Sequence, residues 1–396
     1  MDQNNKVKKF KKINPNEYGG LLYDYEELYA IQKLLFTRKI FRYASRKASI
    51  TDEFEVQVKK YLKIKYALGL NNGTSALKTA LFAVGVKPGD RILISSYTFI
   101  ATAAAVISLG AIPIPIDFDF TYGMNITDLE AEVARGCKAI VPVHLQGRTF
   151  NLEPISKIAK RKDIVVIEDA CQAFGSKFKE NYAGCFTDVG VYSFQQYKQI
   201  SAGEGGMLVT NNEQFYKIAK NYSDHGMVRE FMTWDDDGAM IGDNYRMSNL
   251  QAAILKIQMK RIKRVIKDQI NNRNYVLSKI DKRKFSCLVD SPDVAGETGM
   301  NLFFLLDTKE IADQIIAHAR TKNIEFRKLW DRPYYLHGVF KKAKLDPSNL
   351  HKSNCVVAED VSSRLVSVSI PPTLTEKSLD KIVREILQLQ KLDYIH

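Results

Sequence analysis

Four short stretches of the 396-residue chain carry side chains that could do chemistry. Asn71-Asn72-Gly73-Thr74-Ser75 follows an apolar run and opens a segment of helical period. Free amides at a helix start, with two hydroxyls beside them, make a place for an anion. A plain turn capped by Thr74 or Ser75 explains the same residues. Ile164-Val165-Val166-Ile167-Glu168-Asp169 ends an apolar run on two carboxylates. A buried ionised Asp is costly unless a cation faces it, so Asp169 either meets one or caps a following helix. Ser193-Phe194-Gln195-Gln196-Tyr197-Lys198, followed by Gly203-Glu204-Gly205-Gly206, sets a lysine just past another apolar run. Desolvation and neighbouring cations would lower its pKa and expose a nucleophilic amine, whereas a surface lysine would snorkel to water. The glycines suit close backbone approach. Tyr97-Thr98-Phe99 offers a ring that can stack on a planar ligand or fill the core.

Taken together, the four stretches describe one ligand. It has a phosphate for Gly73-Thr74-Ser75, a ring for Phe99, a ring cation for Asp169 and an aldehyde for Lys198. Pyridoxal 5′-phosphate has all four features. No set of residues has the spacing of a metal site.

The elements that must position these residues are legible in outline. Apolar runs without polar alternation occur at 66–70, 91–95, 111–116, 139–143, 164–167, 189–192 and 206–210, and suit strands covered on both faces. Segments of helical period lie between the early runs, as at 75–84 and 152–161. That alternation predicts an α/β fold with a mostly parallel sheet and helices on both faces. Too few residues separate Phe194 from Gly206 for a crossover helix, so the last strand should run antiparallel. Chemistry in such sheets gathers at the carboxyl ends of the strands. A helical stretch from about Ser248 to Ile280 is a plausible bridge to a small α+β lobe. In that lobe, strands are expected near 300–306 and 366–369, and helices near 309–321 and 377–390. The expected division is 1–260 for the N-terminal segment and large cofactor-binding domain, and 261–396 for the bridging helix and small C-terminal domain.

The chain resembles the DegT/DnrJ/StrS group of sugar aminotransferases, within the fold-type I pyridoxal-phosphate enzymes. The resemblance rests on Asn72-Gly73-Thr74-Ser75-Ala76-Leu77, Thr98-Phe99-Ile100-Ala101-Thr102 and Glu168-Asp169-Ala170-Cys171-Gln172-Ala173-Phe174-Gly175. It rests also on Ser193-Phe194 with Lys198 and Gly203-Glu204-Gly205-Gly206, and on Asn244-Tyr245-Arg246-Met247-Ser248 with Leu250-Gln251-Ala252-Ala253. It implies a seven-stranded large domain and a smaller C-terminal one. It also implies that Lys198 forms the internal Schiff base, Asp169 pairs with the pyridine nitrogen, Gln172 contacts the ring hydroxyl and Phe99 stacks on the ring. Thr74, Ser193 and the amides of Gly73 and Ser75 would hold the phosphate. Asn244 would reach the phosphate of a neighbouring subunit, giving a homodimer with shared sites. The implied reaction takes an amino group from glutamate or glutamine and passes it to a keto-sugar by ping-pong kinetics, with Lys198 moving the proton.

Some residues depart from the family pattern. Gln146 stands where many relatives carry an aromatic residue, and Ser95-Ser96-Tyr97 lacks a proline often found there. Gln195-Gln196 resembles members acting on cyclitol ketones, and Phe41-Arg42-Tyr43 those acting on keto-sugar acids. His144, Gln195 and Arg246 are the candidate substrate residues; for His144 the alternative is a hydrogen-bonded structural histidine. A sugar dehydratase on this fold would carry His in place of Lys198. A non-catalytic ligand-binding homologue would be expected to lose Lys198 or Asp169. A nicotinamide oxidoreductase would need G-x-G-x-x-G after the first strand, which is missing.

Composition bounds the rest. Hydrophobic residues make up 45% and charged residues 26%, ordinary for a globular chain, which excludes disorder and coiled coil as the main architecture. The net charge of +13 comes from scattered residues, the densest run being Lys8-Lys9-Phe10-Lys11-Lys12. No nucleic-acid signature accompanies it, so no nucleic-acid partner is expected. A second basic stretch, Lys256 to Lys267, reads as a solvent-facing helix side. Five cysteines without a C-x-x-C pair suit a reducing compartment. No signal-peptide pattern or membrane span is legible, so a cytoplasmic protein is expected.

Overall fold

A computed structural model describes residues 22–44, 47–281, 285–342 and 355–391. The basic run at 8–12 lies outside the described residues. The large sheet contains β1 (Tyr66–Leu70), β2 (Arg91–Ser95), β3 (Ile112–Ile116), β4 (Ala139–Val141), β5 (Val165–Asp169), β8 (Val189–Ser193) and β9 (Gly206–Thr210). A two-stranded ribbon, β6 (Lys177–Phe178) with β7 (Asn181–Tyr182), lies between β5 and β8 in sequence. The order across the sheet is β1-β9-β8-β5-β4-β2-β3. Every expected strand is present. β9 alone runs against its neighbours, pairing antiparallel with both β1 and β8. β3 reads Ile-Pro-Ile-Pro-Ile, and its edge position explains the prolines, because an edge strand needs no second set of ladder donors.

Helices cover both faces. α1 (Tyr25–Thr37), α2 (Ile50–Leu62), α3 (Gly73–Ala83), α4 (Ile100–Ile107), α5 (Ile126–Ala134), α6 (Glu153–Arg161) and α7 (Glu213–Tyr222) precede a 30-residue helix, α8 (Asn249–Ser278). α8 starts in a capping box in which Ser248 and Gln251 satisfy each other's amides. The reading of this basic stretch as a solvent face holds only in part, because one side of it is paired with the neighbouring helices. Lys256 meets Glu53, Lys260 meets Glu26, and Arg261 meets Asp24 and Glu27, so this side docks on α1 and α2. Lys263 and Lys267 remain exposed.

The C-terminal part forms a three-stranded antiparallel sheet, β10 (Asn301–Leu305), β12 (Leu365–Ser369) and β11 (Phe326–Lys328), in that order. α9 (Lys309–Thr321) and the helix Glu376–Lys391 pack on it, around Phe304, Ile315, Val368 and Ile386. β11 has only three residues and carried no sequence signal. Tyr334, Tyr335 and Ala358 cross back to join the core of the large sheet.

Candidate active site

The carboxyl ends of β1, β5 and β8 converge on one cavity of about 530 Å³. The register of β9 makes this possible: Gly206 stands opposite both Leu70 and Ser193. The loop from Phe194 to Gly205 therefore leaves and returns at the same sheet edge, holding Lys198 over it. A Cβ on Gly206 would lie 2.2 Å from the Asn72 carbonyl oxygen, so only glycine lets the 71–73 turn close onto β9.

That turn begins α3. Asn72, rather than Thr74 or Ser75, is the N-cap: its Oδ1 accepts from the Ser75 amide at 2.8 Å. The Ser75 amide is thus committed, and Ser75 does not line the cavity, while Gly73 and Thr74 do. A Cβ on Gly73 would sit 2.8 Å from Ser193 Cβ and 3.2 Å from Cys171 Sγ. The missing side chain leaves a small cup between the helix start and Ser193. Ser193 Oγ accepts from the Gln195 amide at 3.3 Å, which leaves its own proton to point elsewhere. Amides at a helix start, a hydroxyl and no Cβ fit a phosphate.

Asp169 is the last residue of β5 and is 4% exposed. Oδ2 accepts from Thr102 Oγ1 at 2.8 Å and Oδ1 from the Cys171 amide at 3.1 Å. No helix follows it, so it is not an N-cap. Glu168, one residue earlier, points to the opposite face, as strand alternation requires. It is fully buried and accepts from the amides of Gly184, Phe186 and Thr187 and from His144 Nε2. His144 therefore belongs to that structural knot and does not line the cavity. The Phe150 amide donates to its Nδ1, which assigns the ring proton to Nε2.

Lys198 shares the cavity with Asp169, and burial pulls its pKa below the usual lysine value, opposed by the nearby Cys171 and Asp169 and reinforced by Arg327. Cys171 sits close by, but burial holds its thiol well above the ordinary range, so it is no competing nucleophile. Phe99 lines the cavity half-open to solvent, and Gln172 and Gln195 also border it. Arg246 does not. It pairs with Asp224, which also binds Arg229, and lies over the Phe41 ring at 5.3 Å. Asn244 is exposed and does not line its own chain's cavity. Arg42, in the stretch that resembles keto-sugar-acid enzymes, is buried against Glu55 at 2.8 Å.

Sequence reading missed one wall. Arg327, Leu329 and Trp330, from β11 and the residues after it, close the cavity opposite the sheet. Thr102 and Gln146 were noted in their motifs, but not as partners of Asp169 and Gln172.

The sequence model of the DegT/DnrJ/EryC1/StrS aminotransferase family matches residues 41–387. The chain belongs to this family. A GDP-perosamine synthase of Escherichia coli O157:H7 is 32% identical over 347 residues, covering 86% of this chain and 90% of that protein. An aminotransferase from Psychrobacter cryohalolentis superposes with a TM-score of 0.83 at 25% identity, over 93% of this chain and 98% of that one. The Bacillus subtilis protein ntda, solved with its cofactor pmp, shares the fold with a TM-score of 0.83 at 23% identity, over 98% of this chain and 87% of that one. The aminotransferase thus has the fold-type I architecture and works with pyridoxal 5′-phosphate, whose features match the cup, carboxylate and lysine described above. Among the described residues no cluster could hold a metal, and no helix is long and apolar enough to cross a membrane.

Proposed function

We propose that this aminotransferase carries an amino group from glutamate or glutamine to the ketone of a sugar, making an amino sugar for a surface polysaccharide or secondary metabolite. One observation carries the site assignment: the Lys198 amine, the Asp169 carboxylate and the Gly73–Ser193 cup line a single cavity. Similarity to a GDP-perosamine synthase supports a nucleotide-linked keto-deoxysugar over a keto-sugar acid or a cyclitol ketone. Of the stretch Phe41-Arg42-Tyr43 that resembles keto-sugar-acid enzymes, Arg42 is taken up by a buried ion pair with Glu55.

Bound pyridoxal phosphate supplies an aldehyde and an electron sink. The amides of Gly73 and Thr74, with the hydroxyls of Thr74 and Ser193, hold its phosphate. Asp169, fixed by Thr102 and Cys171, keeps a proton on the ring nitrogen. Phe99 would cover one ring face and Gln172 would meet the ring hydroxyl. Lys198 would hold the aldehyde carbon through its amine and would serve as the base and acid that moves a proton at the donor carbon. Burial shifts the Lys198 pKa downward, the direction that role needs. Arg327 faces the same space and suits the carboxylate of the amino-acid donor. Gln195 borders the acceptor side. The dehydratase alternative is disfavoured because Lys198 is present, and the binding-only alternative because Asp169 is present too.

A homodimer completes the site. Phe231, Met232, Trp234 and Ile241 stand exposed in the segment before Asn244, an apolar group that a second copy would cover as Asn244 reaches the partner's phosphate. The proposed division is an N-terminal segment and large cofactor-binding domain over 1–260, and a bridging helix with a small C-terminal domain over 261–396. The work place is the cytoplasm. The test loads the protein with pyridoxal phosphate, reduces it with borohydride and maps the adduct by mass spectrometry. The adduct belongs on Lys198 and vanishes in Lys198→Ala. An adduct elsewhere, or no amine transfer from either donor to any of the three ketone classes, overturns the proposal.

A further inference from the structure

We infer that Gln146 is a positioning residue: with Asn301 and Ser369 it forms a directed amide relay that turns the NH2 of Gln172 toward the cofactor's ring oxygen. The inference rests on the reading of this cavity as a pyridoxal-phosphate site. Its starting point is local. Gln146 has φ of +47°, a conformation that non-glycine residues rarely adopt, and its side chain borders the cavity. Such backbone persists when surrounding contacts dictate it. Here the next residue is held from both sides: the Gly147 amide donates to the Gln172 carbonyl at 2.7 Å, and its carbonyl accepts from the Thr298 amide at 3.1 Å.

The side chains line up in sequence. Ser369 Oγ donates to Asn301 Oδ1 at 3.2 Å. Asn301 Nδ2 donates to Gln146 Oε1 at 3.0 Å, and Gln146 Nε2 donates to Gln172 Oε1 at 2.9 Å. Each amide has one oxygen and one nitrogen end, so satisfying one end fixes what the other presents. With its oxygen taken by Gln146, Gln172 offers only its NH2 to the cavity. A donor there stabilises the deprotonated ring oxygen and lowers the pKa of the imine that shares a proton with it. An acceptor turned to the same oxygen would repel it. The relay also crosses the molecule: Ser369 and Asn301 lie on β12 and β10 of the C-terminal sheet, and neither borders the cavity. β10 and β12 therefore act on the cofactor's electronics without bordering the cavity.

Asn301→Asp tests the direction. An aspartate at 301 cannot donate, so Gln146 must turn its NH2 to it and accept from Gln172, which then presents its oxygen to the ring. Gln146→Leu removes the relay outright, and Ser369→Ala removes only its anchor. Each protein is loaded with pyridoxal phosphate, and the visible absorption band is titrated against pH. Wild type, with borohydride-trappable absorbance lost in Lys198→Ala, establishes the cofactor site itself. The expected result is an upward move of the band's midpoint by about one pH unit in Asn301→Asp and Gln146→Leu, and less in Ser369→Ala. A packing role alone would lower melting temperature and leave the midpoint in place. If both main variants bind cofactor with the wild-type midpoint, the relay is overturned while the cofactor site stands. If wild type shows no Lys198-dependent band, the underlying reading falls first. Should Asn301→Asp fail to fold, Gln146→Leu and Ser369→Ala carry the same comparison.

Discussion

Asp169→Asn separates the charge of this residue from its packing. The carboxylate accepts two bonds, one from Thr102 Oγ1 and one from the Cys171 amide. An asparagine has one oxygen, which would stay on the Cys171 amide because that donor cannot rotate. The Thr102 hydroxyl can turn: Thr98 Oγ1 lies 3.0 Å away, and Thr102 can donate to it while accepting from the new NH2. The folded state should therefore lose only about 0–1 kcal/mol, against the roughly 1–3 kcal/mol of a stranded donor. Removal of the charge acts elsewhere. Burial lowers the Lys198 pKa and Asp169 is one of the charges holding it up, so in the variant the free amine should titrate lower still. Turnover should fall by about a hundred- to a thousandfold, the scale for losing one preorganised electrostatic partner. The assay pairs thermal melting of the cofactor-free protein with trinitrophenylation of Lys198 across pH and with steady-state transamination. Turnover within tenfold of wild type, or a Lys198 titration that moves up, would refute the assigned role.

Three further expectations rest on contacts described above. Gly73→Ala puts a methyl 2.8 Å from Ser193 Cβ, so it should cost about 1–3 kcal/mol in melting and weaken pyridoxal-phosphate affinity at least tenfold by equilibrium titration. Pyridoxal without phosphate should lose much less, because the cup recognises only that group. Arg42→Met strands the buried Glu55, whose Oε1 also accepts from the Gly69 amide at 2.6 Å; chemical denaturation should register a loss of about 3–5 kcal/mol, much of it recovered by adding Glu55→Leu. Arg327→Gln should raise KM for the amino donor by about ten- to a hundredfold and leave acceptor KM nearly unchanged, a split that ping-pong kinetics resolve directly.

Much of this architecture was legible because buried parallel strands advertise themselves. The runs at 66–70, 91–95 and 206–210 coincide with strands, as both faces of each are covered. The antiparallel β9 followed from a short connection alone. Side-chain direction was harder to read. Glu168 and Asp169 are adjacent and chemically alike, yet one is locked in a structural knot and the other faces the ligand space. His144, a candidate substrate residue by sequence, instead bonds to Glu168, which lies on the far side of the strand from Asp169. Arg327 could not be found from sequence, because it stands 129 positions beyond Lys198 on a strand of three residues. Arg42 and Arg246 read as available cations, but their fate depends on Glu55 and Asp224, which only folding brings near.

α8 touches α1 and α2 near its beginning and the helix Glu376–Lys391 toward its end. The first and last helices of the described chain thus hang on a common spar. Cutting the chain at 260 would split that spar and leave two sticky stumps, the first missing Ile262, the second carrying Ile262 without Phe54, Val58 and Leu255 of its cluster. Neither fragment is then a free-standing module, and grafting one lobe onto a relative's other lobe calls for a joint outside this rod.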